Sequence, residues 1–254
     1  KPKSRANALG IFAMGVTLGG ALANGFGGPI AGLTDETVVA FFSSVGVGDI
    51  HEQLGWGQNF GWRFAFIALG LPGIVIALIL LFTVKEPPRG YSDPPGTQRV
   101  QKASITETLK ELGSKPTFWT MSLGAALVAL VGYGLFGFQA PMMQRLHGMS
   151  PGTFALQYGV PLSLISAVGT FAGGYLAEQL SPRSPTAVAW LPAVGLGLAI
   201  PLYIWGFYLE PGTMQLVVWG AGAAAHYSYL GAQYTIGQGV VSQRSRASAI
   251  AILL

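Results

Sequence analysis

Charged positions are sparse along this chain, and the intervals between them set its dominant pattern. No Asp, Glu, Lys or Arg falls between Arg5 and Asp35, Arg63 and Lys85, Lys115 and Arg145, Arg145 and Glu178, Arg183 and Glu210, or Glu210 and Arg244. Each interval holds at least 21 residues, and a helix needs about 20 to cross the hydrocarbon core of a bilayer. The intervals lack period-two alternation, so helices rather than barrel strands are predicted. The predicted spans are 7–32, 62–84, 117–141, 151–178, 187–208 and 213–240, with a seventh starting near 247 and cut off at Leu254. The chain opens without Met in a basic segment (Lys1, Lys3, Arg5), so both ends are expected to be cut from something longer. The fold class that follows is all-α: a polytopic membrane protein with six complete transmembrane helices and part of a seventh.

Composition agrees and narrows the function classes. Of the 254 residues 51% are hydrophobic and 9% charged, against about 25% charged in a soluble domain. With 37 Gly and a mean hydropathy of +0.50, an ordinary soluble enzyme and a disordered tail are both excluded. The absence of Cys excludes a disulfide scaffold, thiol chemistry and Cys-based zinc sites. The net charge of +4 is scattered, so no basic face for nucleic acid can be built. The expected partners are the lipid bilayer and a small molecule.

The placement of basic residues sets an orientation. With the chain start on the cytoplasmic side, 12 of the 14 Lys and Arg lie inside and only Arg63 and Arg145 outside, as the positive-inside rule requires. Trp56, Trp62 and Trp119 fall at span ends, where indoles anchor at the interface. Span 7–32 is too long and too Gly-rich for a signal peptide. The segment 85–116 begins Lys85-Glu86-Pro87-Pro88, where proline stops the helix. It then enters Ser104-Ile105-Thr106-Glu107, a capping box. Ile105, Leu109 and Leu112 share one face of the short amphipathic helix predicted there. Three regions follow: 1–84, the end of an N-terminal bundle; 85–116, a cytoplasmic linker; and 117–254, a C-terminal bundle. The outer stretch 33–61 carries Asp35, Glu36, Asp49, His51 and Glu52, whose spacing matches no metal-ligand pattern. A solvated loop is expected there, and no metal site.

Other motifs are weighed by their setting. Ser4–Ile11 (SRANALGI) and Ser245–Ile252 (SRASAIAI) agree at five of eight positions, six spans apart. That spacing fits a parallel six-span repeat, as in one large transporter class. Gly132–Gly137 satisfies G-x-G-x-x-G but sits inside a charge-free span with no preceding strand, so a dinucleotide site is rejected. No cofactor is expected. Ser122, Ala126, Ala129, Tyr133, Gly137 and Ala140 fall in one helical sector, suited to packing or to lining a cavity. His226, Tyr229 and Gln233 project to one side of the sixth span, with Trp219 and Gly237 extending the sector. An ionisable group within a span is a functional candidate by default. Gly15, Gly19, Gly27 and Gly28 give the first span a smooth face for close helix approach.

Gly61-Trp62-Arg63, Pro2-x-x-Arg5-Ala6 and Gly174-Tyr175-Leu176-Ala177-Glu178 resemble the major facilitator superfamily. The stretch Gly61–Gly90, Val131–Gly134, His147–Ser150 and Gly169–Gly174 is similar to its bacterial spinster-like transporters. The resemblance covers nearly the whole chain and implies helices five to ten with the start of eleven, one to four and twelve being absent. It implies a secondary transporter of a small amphiphilic or lipid-like molecule, lysolipids included, working by alternating access, and a monomer when full length. The alternative it leaves is a proton-coupled drug or metabolite exporter of the same superfamily; a receptor or structural role ranks last. No HExxH motif and no Ser or Asp constellation supports an intramembrane enzyme. By the resemblance, helices seven and ten line the cavity, which moves Tyr133, Trp219, His226, Tyr229 and Gln233 toward substrate contact. Helix five lies at the domain interface, which gives the four glycines a sliding role. Glu178 and Arg183 are implied as parts of a cytoplasmic gate, with Gln179 standing where the family has a basic residue. No carboxylate lies in mid-span, so a coupling ion, H+ by expectation, has no visible acceptor here. The implied location is the bacterial inner membrane.

Overall fold

The structure, a computed structural model, describes residues 5–58, 60–85, 104–184, 186–242 and 244–253; the described residues form helices and no strands. The first span is α1 (Arg5–Leu22), a π-helical turn (Ala23–Gly27) and α2 (Gly28–Ala31). Beyond it come α3 (Asp35–Ser44), α4 (Ile50–Gln53) and the second span, α5 (Gly61–Thr83). The short α6 (Ile105–Gly113) precedes α7 (Pro116–His147). The next span joins α8 (Pro151–Phe154), a second π-helical turn (Ala155–Gly159) and α9 (Val160–Leu180). Then follow α10 (Ala187–Tyr208), α11 (Thr213–Tyr227), α12 (Tyr229–Gly239) and α13 (Arg246–Leu253).

Five stretches are long and apolar enough to cross a membrane: Ile11–Ala31, Gly61–Thr83, Pro116–His147, Pro151–Leu180 and Ala187–Tyr208. The sixth predicted span is not one continuous helix, because it breaks at Ser228 between α11 and α12. The break is gripped by glycines. A Cβ on Gly173 of α9 would run into the Ser228 carbonyl oxygen, and one on Gly195 of α10 would lie 2.5 Å from Ser228 Oγ. Ser228 Oγ donates to Ala225 O at 2.7 Å, a side-chain bond that competes with the backbone ladder. The third span runs past its predicted end to His147, placing Arg145 in its last turn, where the helix dipole favours a cation.

Two compact units are distinguished among the described residues. The first comprises 5–19, 104–139 and 161–253, the second 20–85 and 140–160. In the first, α10 packs closely on α11 and α12, and α6 is fixed to the start of α13. Ser104 and Glu107 form the predicted capping box. Leu112 is fully buried with Phe118, Val241 and Ala249, while Ile105 stays 74% exposed, so only one edge of the amphipathic face meets protein. Glu111 completes the attachment. Its carboxylate accepts the Ser242 amide at 2.7 Å, Ser242 Oγ at 2.9 Å and Ser245 Oγ at 2.6 Å. These bonds favour the ionised form and hold the carboxyl below the usual glutamate range.

In the second unit the segment 33–61 departs from the solvated loop its acids suggested. Val38, Phe42, Phe60 and Phe64 form a buried cluster, with Ile30, Leu33, Val39, Ile50, Trp56 and Ala68 against it. Phe42 meets the Phe64 ring edge-on at 5.4 Å, the geometry the ring quadrupole prefers. The acids organise this lobe instead of binding an ion. Thr34 caps α3, Asp35 and Glu36 occupy its first turn, and Asp35 Oδ1 accepts the Phe60 amide at 2.9 Å. His51 stacks on Phe60 at 5.2 Å, with Nδ1 2.9 Å from Gly48 O. Gly61 begins α5 because a Cβ there would lie 2.5 Å from Leu33 O, which gives the Gly-Trp-Arg motif a packing reason.

Candidate functional site

The residues singled out on the sixth span occupy different environments. Trp219 is fully buried, its ring filling the space where Gly206 of α10 has no side chain and meeting Phe207 at 5.2 Å. His226, one turn before the break, is 4% exposed. Aromatic rings surround it: Tyr203 at 6.1 Å, Tyr227 at 5.2 Å and Tyr229 at 6.0 Å. A Cβ on Gly132 of α7 would lie 2.9 Å from His226 Nε2. Gly132 therefore belongs to a close α7–α11 contact at this histidine, the structural use of the glycine pair that mimics a dinucleotide motif.

Tyr133, next along α7, points the opposite way and is 78% exposed. Tyr229 and Gln233 of α12 are half-buried, and Gln233 Oε1 is buried without a hydrogen-bond partner. A buried amide oxygen left unbonded costs free energy that a donor could recover. The break at Ser228 separates His226 from Tyr229 and Gln233, so the single sector projected for an unbroken helix is divided between two segments.

Glu178 lies half-buried in the last turn of α9, and Arg183 is exposed in the following turn, its amide bonded to Leu180 O at 3.0 Å. The four glycines of the first span divide evenly. A Cβ on Gly15 or Gly19 would meet nothing within 4 Å. One on Gly27 would lie 3.2 Å from Leu69 Cδ1, and one on Gly28 would collide with Ala155 Cβ. Within the second unit the first span thus crosses the α8–α9 span at close range. The crossing continues through Gly159 against the Asn24 side chain and Gly152 against Pro29.

Sequence reasoning missed several residues that shape these surroundings. Gln215 is 1% exposed and donates from Nε2 to Gly206 O at 3.2 Å and Leu209 O at 3.0 Å, capping the end of α10. Only its position, a buried amide one turn into α11, could have marked it. Gly169 also escaped notice as a contact point, although a Cβ there would enter the Ala224 backbone of α11.

Comparison with known proteins places this architecture. The profile of the Major Facilitator Superfamily matches residues 1–254. A crystal structure of a bacterial homolog to the human lysosomal transporter Spinster, in an inward-facing and unoccupied conformation, is 52% identical. It superposes with a TM-score of 0.78 over 99% of this chain and 53% of that one. The same kind of homolog in an inward-facing and occupied conformation is 50% identical, with a TM-score of 0.74 over 100% of this chain and 51% of that one. An MFS-type efflux pump of Mycolicibacterium smegmatis is 27% identical over 203 residues, 78% of this chain and 45% of the pump. Protein spinster homolog 3 of Homo sapiens is 26% identical over 167 residues, 60% of this chain and 32% of that protein. The chain spans about half the length of these relatives or less.

Proposed function

Because the chain belongs to the Major Facilitator Superfamily, a family of transporters rather than enzymes, we propose that it is part of a secondary transporter moving a small amphiphilic or lipid-like molecule by alternating access. The observation that carries this reading is the 52% identity, over 99% of the chain, to a bacterial spinster homolog. The chain is a multi-pass integral membrane protein, and the split of its basic residues supports an inner-membrane placement with the chain start and the 85–116 linker cytoplasmic. On this reading 1–84 ends the N-terminal bundle, 117–254 forms most of the C-terminal bundle, and the full-length protein works as a monomer.

Tyr133, Tyr229 and Gln233 are the proposed substrate contacts. Tyr133 offers an exposed phenol, and the unpartnered Gln233 amide oxygen suits a hydroxyl or ammonium group of a polar head. His226 and Trp219 support that wall from within the helix packing. Glu178 and Arg183 close the cytoplasmic side. Coupling to H+ belongs to the same reading, with the proton acceptor outside this chain. The relative named as an efflux pump favours a second reading, a proton-coupled exporter of drugs or metabolites.

Uptake of labelled lysophospholipid by proteoliposomes holding the full-length protein, with and without a pH gradient, tests the proposal. Uptake that depends on the protein and falls at least fivefold in Tyr133→Ala or Gln233→Ala is expected. Gradient-driven movement of a cationic drug with no lysophospholipid uptake would replace it with the exporter reading.

A further inference from the structure

The two π-helical turns are encoded by one repeated sequence. Ala23-Asn24-Gly25-Phe26-Gly27-Gly28-Pro29 and Ala155-Leu156-Gln157-Tyr158-Gly159-Val160-Pro161 share the pattern Ala-x-x-[Phe/Tyr]-Gly-x-Pro. In each, the first five residues are the π-helical ones, and the proline follows one residue later. The physical cause is shared. A proline in a helix has no amide to donate, and its ring clashes with the carbonyl four residues back, here Gly25 and Gln157. Widening the preceding turn by one residue relieves that clash. In the second segment the Val160 amide accordingly reaches five residues back to Ala155 O. In the first the Gly28 amide bonds Asn24 O, and Asn24 Nδ2 donates to Gly20 O at 2.9 Å.

These two turns also pack against each other. Their contacts run in opposite directions along the segments: Asn24 with Gly159 at one end, Gly28 with Ala155 at the other, and Gly25 3.5 Å from Val160 Cγ2 between neighbours. Matching residue 23 to residue 155 and exchanging the segments maps the Asn24–Gly159 and Gly28–Ala155 pairings onto the same antiparallel register, so the crossing has local two-fold character. The aromatic positions differ, Tyr158 being 3% and Phe26 58% exposed. π-Helical turns are rare and concentrate at functional sites. Two copies of one such device in direct contact, at the closest approach of two spans, exceed what packing alone requires.

We propose that segments 23–29 and 155–161 are paired bending points, at which the two crossing spans part and rejoin while each keeps its helical bonding on either side. The prolines set where each helix bends, and the glycines set how closely the halves close. This inference deepens the alternating-access reading and rests on it.

The test uses the full-length protein in a background stripped of cysteine; these 254 residues contain none. Single substitution Gly25→Cys reports opening by its reaction rate with a water-soluble maleimide. The pair Gly25→Cys with Val160→Cys reports closure by its rate of oxidative cross-linking. In Pro29→Ala with Pro161→Ala an ordinary α-helix can form, and the maleimide rate is expected to fall at least fivefold with the melting temperature unchanged or higher. Each proline is also replaced singly, so a misfolded double variant still leaves a reading, and either single change is expected to slow opening by at least twofold. Opening rates equal to the parent's in folded proline variants overturn the bending points. So does a parent whose Gly25→Cys never reacts while its transport proceeds. A parent that opens but carries no lysophospholipid overturns the substrate reading and leaves the hinge standing.

Discussion

α5 and α9 are both charge-free spans, yet they are built for opposite surroundings. Half of the most apolar window of the α8–α9 span is buried, against 11% of that of α5. The buried residues of α9 are Leu162, Ser163, Ser166, Ala167, Gly169, Thr170, Gly173, Gly174 and Ala177, mostly small or hydroxylated. On α5 only Gly61, Phe64 and Ala65 are buried, whereas Ile74, Val75, Ile76, Leu78, Ile79, Leu80, Leu81 and Phe82 are exposed. A water-soluble fold would bury the larger residues. Where lipid tails are the solvent, association has no hydrophobic drive and depends on close backbone approach and local hydrogen bonds. The helix richer in branched apolar side chains is therefore the more exposed one.

The comparison breaks most sharply at glycine. Gly169→Leu and Gly173→Leu on α9 would force side chains into the backbones of Ala224 and Ser228, and each is expected to cost more than about 3 kcal/mol. Detergent-solubilised protein should then be lost from the monodisperse peak in size-exclusion chromatography. Gly73→Leu on α5, where a Cβ meets nothing within 4 Å, is expected to keep that peak. Equal behaviour of the two helices would show that exposure in this structure says nothing of packing.

The same contrast explains what was readable in advance. Span positions followed from charge intervals, because a single buried charge is too costly to place at random in hydrocarbon. The break at Ser228 was not readable, since it depends on Gly173 and Gly195 arriving from two other helices. The lobe at 33–61 was misjudged because its acids drew attention, while Phe42, Phe60 and Phe64 carry its core. Resemblance supplied the candidate cavity residues, but helical projection could not say that Trp219 lies fully buried while Tyr133 stands exposed. The repeated Ala-x-x-[Phe/Tyr]-Gly-x-Pro segments were present in the sequence all along. They became visible only once both proved π-helical.

His226 sharpens the comparison at a second level. Sequence alone treats it as a polar group available to substrate, and His226→Ala would then leave folding intact. Its 4% exposure and the Tyr203, Tyr227 and Tyr229 rings around it make truncation a cavity-forming change as well. A loss of about 2–3 kcal/mol is expected, seen as a lowered melting temperature in detergent. Tyr133→Ala, at an exposed position on α7, should change stability by less than about 0.5 kcal/mol. If both variants melt with the parent, the buried and exposed faces of this region are not energetically distinct.

Asp35→Asn tests the second unit with a smaller effect. The carboxylate accepts the Phe60 amide across 25 residues, and Asn keeps one oxygen for that bond while losing charge at the start of α3. A loss of about 0.5–1 kcal/mol is expected from the charge-assisted bond and the helix dipole together, with no change on Asp49→Asn.

The smallest effect belongs to Glu111, which joins α6 to the first unit through Ser242 and Ser245. The side-chain bond from Ser245 leads the causes that lower its pKa, followed by the Ser242 amide. A carboxyl with a depressed folded pKa contributes stability at pH values above its unfolded pKa, about 4.3. That contribution disappears as pH falls through the lower folded value. Glu111 is solvent-accessible, so the contribution is screened and amounts to about 0.5–1 kcal/mol. Thermal melts of the parent and Glu111→Gln should therefore differ by a degree or two at pH 7 and converge below about pH 4. Ser245→Ala should reproduce the neutral-pH difference, since it removes the leading donor. A gap that persists unchanged at pH 3 would mean that shape at this corner, rather than the ionised carboxylate, holds α6 in place.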